Sequence, residues 1–403
     1  MSEQKQVIQT FERVCMIAEH IPPDYSGAGR QATLLAKNLS ELGHEVFIIT
    51  KTPNPSTSEN SRLHIIPLKS NKDLACTQFA WQCFRWLLFN SKKYDLIHLH
   101  GLNRATWGAI IANKILGKPI LFKYTLPADE APEIIRASRL GKIKWRLFKT
   151  MDAYIATSSK FHKILSTEII PNITVHLIPN GVDCNVFKPL ARDTKQSIKE
   201  CLQNEMNWPD ATLIGMYLGG IEPRKGLETL LSSWRDVVKE IPEVRLLLVG
   251  PVTKNAGKSF NDKLSAQIHE WGLGNYINFY GLSDSPETLL PLADIFILPS
   301  DAEGLPNALI EAQACGIPAV ASHLDGITTD IVLQDKTGYL IQCKDKKALT
   351  EAVITILKNP RWYSAETQLE IIQHIKQHFS IESIAEQYSA LYKKLSKRNS
   401  TYV

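Results

Sequence analysis

The stretch SDAEGLPNALIEAQACGIPAVAS (300–322) carries two glutamates, Glu303 and Glu311, eight residues apart. Pro306 suits the first turn of a helix, and Gly316 followed by Pro318 suits its end. Glu303 is then expected in the loop before the helix and Glu311 within it. Eight residues at helical rise span ~12 Å, whereas two carboxyls acting on one glycosidic bond with retention stand only ~5–5.5 Å apart. The pair is instead expected to hold two ends of an elongated ligand, such as the sugar and the ribose of a sugar nucleotide. Backbone N–H groups of Gly304 to Asn307, at the positive end of the helix, would face the diphosphate or the sugar. Charge alone fits two solvated helix carboxylates better.

A second candidate is YSGAGRQATLL (25–35), where Gly27, Gly29 and Ala32 match G-x-G-x-x-A. A dinucleotide fingerprint needs that turn directly after the first strand and an acidic residue about 20 positions on. Here HIPPDYS intervenes, and the second strand ends FIITKTP with no acid at its tip. The nicotinamide reading fails on both counts. A glycine loop feeding a helix start still suits a phosphate or a sugar hydroxyl, and a plain loop fits as well.

These residues need a scaffold, and the rest of the chain supplies one. Short aliphatic runs such as RVCMIAE, HEVFIIT, YDLIHLH and KPILFKY alternate with helix-like stretches, as strands of a parallel sheet covered on both faces do. NGVDCNVFKP (180–189) breaks the rhythm, and a second series starts at TLIGMYLGG (212–220). The expected class is α/β with two Rossmann-like doubly wound domains facing across a cleft, residues 1–185 and 186–383. At 403 residues the chain has room for both, and 44% hydrophobic with 22% charged residues marks a globular composition. No apolar run approaches the ~20 residues of a membrane span, and MSEQKQVIQTFER carries no apolar signal core, so a cytoplasmic location is expected. Seven scattered cysteines without a CxxC pair argue against a disulfide or zinc framework.

Taken in order, the glycine loop with LSELGHEV, then YDLIHLHG, LIPNGVDCNVF, GGIEPRKGLETLL and EGLPNALIEAQACG resemble the retaining GT-B glycosyltransferases of family GT4. The resemblance covers almost the whole chain. It implies a GT-B fold, with a nucleotide-sugar donor held mainly by the second domain and an acceptor by the first. It also implies a C-terminal helix (384–403) crossing back to the first domain. By the same resemblance Glu311 binds the donor ribose, and Glu303 lies near the transferred sugar's hydroxyls. Lys225 meets the diphosphate, His100 contacts the donor sugar near the reacting centre, and Gly27 approaches phosphate and sugar. Gly304, Leu305, Pro306 and Asn307 complete the donor site, and Leu282 falls where the family holds the base through its backbone. His100, Lys225 and Glu303 are the expected catalytic residues.

Three positions depart from the family pattern. Gly220 stands where an arginine is usual, so Arg224 is the candidate replacement on the diphosphate. Ser26 replaces the first of two loop glycines, and DGITTD puts Thr329 near an expected acid. The implied reaction transfers a glycosyl group with retention and leaves a nucleoside diphosphate, with no metal ion and no cofactor beyond the donor. A GT-B phosphorylase or epimerase, and a non-catalytic nucleotide- or glycan-binding relative, are the alternatives. The latter is weakened by the joint presence of Glu303, Glu311, Lys225 and His100.

Charge is unevenly placed. Residues 1–185 hold 23 Lys and Arg against 15 Asp and Glu, and the remainder 23 against 26. Between Glu133 and Asp152 lie Arg136, Arg139, Lys142, Lys144, Arg146 and Lys149, interleaved with Trp145, Leu147 and Phe148. This pattern suits an anionic membrane surface, a phosphorylated acceptor, or a solvated helix over the sheet. FAWQCFRWLLFN (79–90) is expected to be a core helix. No recognition motif for nucleic acid accompanies the charge. A glycan or lipid-linked acceptor, of the kind used in envelope polysaccharide assembly, is the expected partner beside the nucleotide sugar.

Overall fold

A computed structural model describes residues 12–55, 61–68, 75–125, 132–138, 140–170, 174–210, 212–253 and 257–400. The chain forms two compact units, Met1–Gly181 with Ile381–Val403, and Val182–Ser380. The divisions thus fall after Gly181 and before Ile381, a few residues ahead of the expected 185 and 384. The Gln31 side chain explains the first: its amide donates to Gly181 O at 2.9 Å and its Oε1 accepts from Gly181 N at 3.1 Å, fixing Gly181 in the first unit. Val182 N donates to Phe379 O, which places both in the second.

The first unit runs β1 (Arg13–Ile17), α1 (Gly27–Glu41), β2 (Glu45–Thr50), β3 (Leu63–Pro67) and α2 (Ala75–Phe89). It continues with β4 (Leu96–His100), α3 (Arg104–Leu116), β5 (Ile120–Tyr124), α4 (Pro132–Ala137) and α5 (Gly141–Phe148). Strands β6 (Ala153–Ala156) and β7 (Val175–Leu177) flank α6 (Ser159–Ile164). All seven strands are parallel, in the order β3-β2-β1-β4-β5-β6-β7. One sheet face buries Val14, Met16, Ile48, Leu96 and Leu121 under α1 and the returning C-terminal residues. The other face meets Phe79, Cys83 and Leu87 of α2, Ala109 of α3 and Phe148 of α5, all buried.

Helix starts follow from local chemistry. The Ser26 hydroxyl accepts from Gly29 N at 3.0 Å and caps α1, so Gly27 opens the helix instead of standing in a loop. Gly29 is required for packing: a Cβ there would stand 1.9 Å from His20 O. Asn103 and Thr106 form a reciprocal capping box at α3, which ends on Gly117 at φ 63°.

The second unit runs α7 (Arg192–Met206), β8 (Leu213–Leu218), α8 (Leu227–Glu240), β9 (Val244–Val249), α9 (Gly257–Glu270) and β10 (Ile277–Gly281). Then come α10 (Pro286–Leu289), β11 (Ile295–Leu298), α11 (Asn307–Ala314), β12 (Ala319–Ser322) and β13 (Gly338–Ile341). Helices α12 (Lys346–Lys358) and α13 (Ala365–Phe379) close the unit, and α14 (Ile381–Ser400) belongs to the first. Its six strands are again parallel, ordered β10-β9-β8-β11-β12-β13. Leu227, Leu230, Leu231, Trp234 and Val237 make the buried stripe of α8, and Gly215 on β8 leaves the room that Trp234 fills.

One glycine fixes the site's geometry. Gly226 joins the turn Pro223–Lys225 to α8 at φ 67°, and a Cβ there would meet Pro299 O at 1.9 Å. Gly226→Ala is therefore expected to destabilise the second unit by at least ~2 kcal/mol through strain and backbone displacement. Urea unfolding checks this, and a midpoint equal to wild type would show that the close approach is dispensable.

Candidate active site

In open parallel sheets, ligands bind beyond the carboxyl ends of the strands where strand order reverses. In the second unit that point lies between β8 and β11, neighbours in the sheet. The segment after β8 carries Glu222, Arg224 and Lys225, and the segment after β11 carries Glu303. Lys225 Nζ donates to Glu303 Oε1 at 2.6 Å, and Arg224 donates to Glu303 Oε2 at 3.4 Å and to Ala302 O at 3.0 Å. Arg224 also lies 2.6 Å from Glu222, which accepts from Thr253 at 3.4 Å. Asp301 N donates to Arg224 O and ties the two segments together.

The side chains of Glu303 and Lys225 are only 6% and 13% exposed. Two cations and two carboxylates thus meet without net charge, which is how buried ions are made tolerable. The sequence-distant Lys225 and Glu303 thus meet, and Arg224 reaches the same carboxylate. Glu222 was not anticipated: it pairs with Nη2 of Arg224, while Glu303 meets Nη1. Ser300 Oγ, buried next to this cluster in sequence, has no hydrogen-bond partner among the described residues.

The helix α11 starts at Asn307, and Pro306 is its extended cap residue instead of part of the first turn. Proline cannot donate, so the residue ahead of the helix loses nothing by lacking an N–H. Gly304, Leu305 and Pro306 are buried with Glu303, and the Leu305 side chain belongs to the hydrophobic core. Glu311 is buried on the helix. Leu282 follows Gly281 at the end of β10 and is exposed. Thr329, in place of an expected acid, accepts from Gly326 N at 2.8 Å and closes a turn.

In the first unit the strand order reverses between β1 and β4. A cavity of about 280 Å³ opens there, lined by Glu19, His20, Ser26, Gly29, His100 and Asn103 among others. His100 ends β4 and is buried, with Nε2 lacking a hydrogen-bond partner among the described residues. Beneath it lies a polar group that sequence reasoning missed. The His98 ring stands 4.0 Å from the His100 ring, and His98 Nδ1 lies 2.8 Å from the Tyr392 hydroxyl on α14. Lys123, paired with His100 in the sheet register, is buried with Nζ 5.9 Å from the Tyr388 ring.

Burial lowers the His100 pKa well below its usual value, and the Lys123 charge adds to this. Burial also brings Lys123 down to about 7. His100 is therefore neutral at physiological pH, able to donate or accept a hydrogen bond but not to act as a cation. The signal in the sequence was a lysine inside the apolar strand ILFKY.

Among known families, the profile described as Glycosyltransferase Family 4 matches residues 25–186, and that described as Glycosyl transferases group 1 matches residues 199–378. The chain belongs to this GT4-type glycosyltransferase family. It is 23% identical over 388 residues to N-acetyl-alpha-D-glucosaminyl L-malate synthase of Bacillus anthracis, covering 92% of this chain and 94% of that one. It is 24% identical to the Escherichia coli UDP-Gal:alpha-D-GlcNAc-diphosphoundecaprenol alpha-1,3-galactosyltransferase, covering 86% and 89%. HepE of Anabaena, solved with UDP and glucose, superposes with a TM-score of 0.79 at 17% identity, covering 95% and 99%. The fold is GT-B, and the chemistry of the family is glycosyl transfer.

Within this glycosyltransferase, no group of three or more His, Cys, Asp or Glu among the described residues is arranged to hold a metal ion. Equally, no described helix is long and apolar enough to cross a membrane. The basic stretch forms α4 and α5, where Arg136 stacks over Trp145 at 4.4 Å; Arg139 lies outside the described residues. The stretch 79–90 corrects the expectation of a core helix. Phe79, Cys83 and Leu87 of α2 are buried, but Trp81 and Phe89 are exposed. Its aromatic residues run round the helix, so periodicity could not show that only one side is covered.

Proposed function

We propose that the chain transfers a glycosyl group, with retention, from a nucleoside-diphosphate sugar to a glycan or lipid-linked acceptor in polysaccharide or envelope-glycan assembly. The observation that carries this reading is the buried Glu303 carboxylate held by Lys225 and Arg224 where strand order reverses in the second unit. In the reaction the anomeric carbon–phosphate oxygen bond breaks while the acceptor oxygen bonds that carbon on the same face. The acceptor proton passes to the departing phosphate. Lys225 and Arg224 stabilise the charge that develops on the diphosphate, the part a divalent metal plays in other transferases. Glu303 orients the sugar hydroxyls, Glu311 the ribose, and neutral His100 the sugar near the reacting carbon. Gly27 and the segment Gly304–Asn307 bring backbone close to the donor, and Leu282 meets the base. No cofactor beyond the donor is required.

The similarity, over 86% of this chain, to an alpha-D-GlcNAc-diphosphoundecaprenol galactosyltransferase supports a lipid-linked acceptor. The basic, aromatic-rich residues 136–149 support work at the cytoplasmic face of an anionic membrane. Isothermal titration with UDP, GDP, ADP and NAD, each in EDTA, tests the donor site. One diphosphate is expected to bind without metal, and Glu311→Ala to weaken it by about tenfold to a hundredfold, as loss of a hydrogen bond to a charged group does. Binding of NAD alone, or of none of the four, overturns the reading.

A further inference from the structure

Large apolar side chains exposed one at a time are ordinary on a protein surface; several on one layer are not. In the first unit, α2, α3 and α5 cover the same face of the sheet. Phe79, Cys83 and Leu87 of α2 turn inward, and Trp81, Arg85 and Phe89, half a turn away, face out. The next helix repeats the pattern: Ala109 and Ala112 are buried, and Ile111 and Ile115 are 48% and 67% exposed. The two helices cross so closely that a Cβ on Gly108 would stand 2.4 Å from Ala80 O, which keeps the outward stripes side by side. On α5, Ile143 is 54% exposed, and Lys144 reaches over the Trp107 ring of α3 at 5.7 Å, joining the third helix to the other two. On α2, Trp81 and Phe89 are 58% and 79% exposed.

Charge selects the partner. The three helices carry Arg85, Lys114, Lys142, Lys144 and Arg146 and contain no Asp or Glu. A second copy docked by two-fold symmetry would set this patch against itself, cation to cation. An anionic bilayer meets both demands: lipid phosphates pair with the cations, and the aromatic and aliphatic groups enter the boundary between headgroups and acyl chains. The basic groups are already placed over rings, with Arg85 5.9 Å from the Phe89 centroid and Lys149 5.8 Å from that of Trp145. We propose that the outward face of α2, α3 and α5, anchored by Trp81, Phe89, Ile111 and Ile115, docks this glycosyltransferase on an anionic lipid bilayer. The proposal rests on the lipid-linked acceptor reading and extends it from residues 136–149 to the α2–α3 face.

The test is co-sedimentation of the full-length protein with phosphatidylcholine vesicles, with or without phosphatidylglycerol. Sedimentation is expected with the anionic vesicles only, and to weaken steeply as salt shortens the Debye length below ~10 Å. Trp81→Ser/Phe89→Ser is expected to reduce partitioning by about tenfold or more, and Arg85→Gln/Lys114→Gln to reduce it on anionic vesicles. Both pairs are exposed, so melting temperature and titration with UDP, GDP and ADP should match wild type. No sedimentation at low salt, or equal sedimentation by wild type and the Trp81/Phe89 variant, overturns the docking surface. A dimer in light scattering that the same variant abolishes does so too. Vesicle binding without diphosphate binding would sink the donor reading and leave the surface standing; the reverse would sink the surface alone.

Discussion

Lys225→Ala is expected to lower kcat by about 10²–10³-fold, the effect of removing one preorganised donor from developing charge. The same substitution takes away the closest partner of Glu303, 2.6 Å distant, and leaves Arg224 at 3.4 Å. Breaking one side of a buried ion pair costs ~3–5 kcal/mol, so loss of activity could come through loss of structure alone. The double variant Lys225→Met/Glu303→Gln separates the two, because it removes both charges and leaves neither unpaired. Its urea midpoint is expected to recover most of the way to wild type while transfer remains down by the same orders of magnitude. Release of nucleoside diphosphate under saturating donor gives the rate. If activity returns together with stability, Lys225 is a structural ion and the assignment of the diphosphate clamp is wrong.

The strands that hold this cluster were readable because parallel strands buried on both faces form near-continuous apolar runs, as LIGMYL and IFIL do ahead of Glu222 and Glu303. Likewise Gly316 marks a helix end, and the structure gives it a left-handed φ. The meeting of Lys225 with Glu303 was not readable from spacing. The two are 78 residues apart, and only the family resemblance joined them. Glu222 and Ser26 escaped for a related reason. A glutamate before a proline and a serine beside a glycine look like any turn, and their work is visible only in three dimensions: one grips Arg224, the other caps α1. The polar layer under His100 was further from reach, since Tyr392 contacts His98 across 294 positions. A C-terminal helix returning to the first unit was foreseen, but which of its side chains meet the strand was not.

That layer supplies the second large effect. Lys123→Met is expected to stabilise the first unit, most strongly at low pH. Burial takes the Lys123 pKa from 10.5 in the unfolded chain to about 7 in the folded one. Below pH 7 both states carry the proton, and the folded state bears the whole cost, of order 5 kcal/mol at ~1.4 kcal/mol per pKa unit. Between pH 7 and 10.5 the unfolded chain binds more protons than the folded one, so wild-type stability rises with pH and the variant's advantage shrinks by up to ~1.4 kcal/mol per pH unit. Methionine keeps the length of the stem and fits the space beside Tyr388 without a charge. The neighbours that face Lys123 are His98 and His100 on β4 and Tyr388 on α14. Both histidines are held neutral first by burial, with the Lys123 charge adding to it. Removing that charge lets their pKa values rise, so the variant gains slightly more near pH 6. Melting curves of wild type and Lys123→Met at pH 6, 7.5 and 9 measure the difference. A gap between the two that stays constant across those values would mean that Lys123 keeps an ordinary pKa through a partner, and the neutral His100 would lose part of its cause. A gap that closes with rising pH fixes the charge state of the layer on which His100 stands.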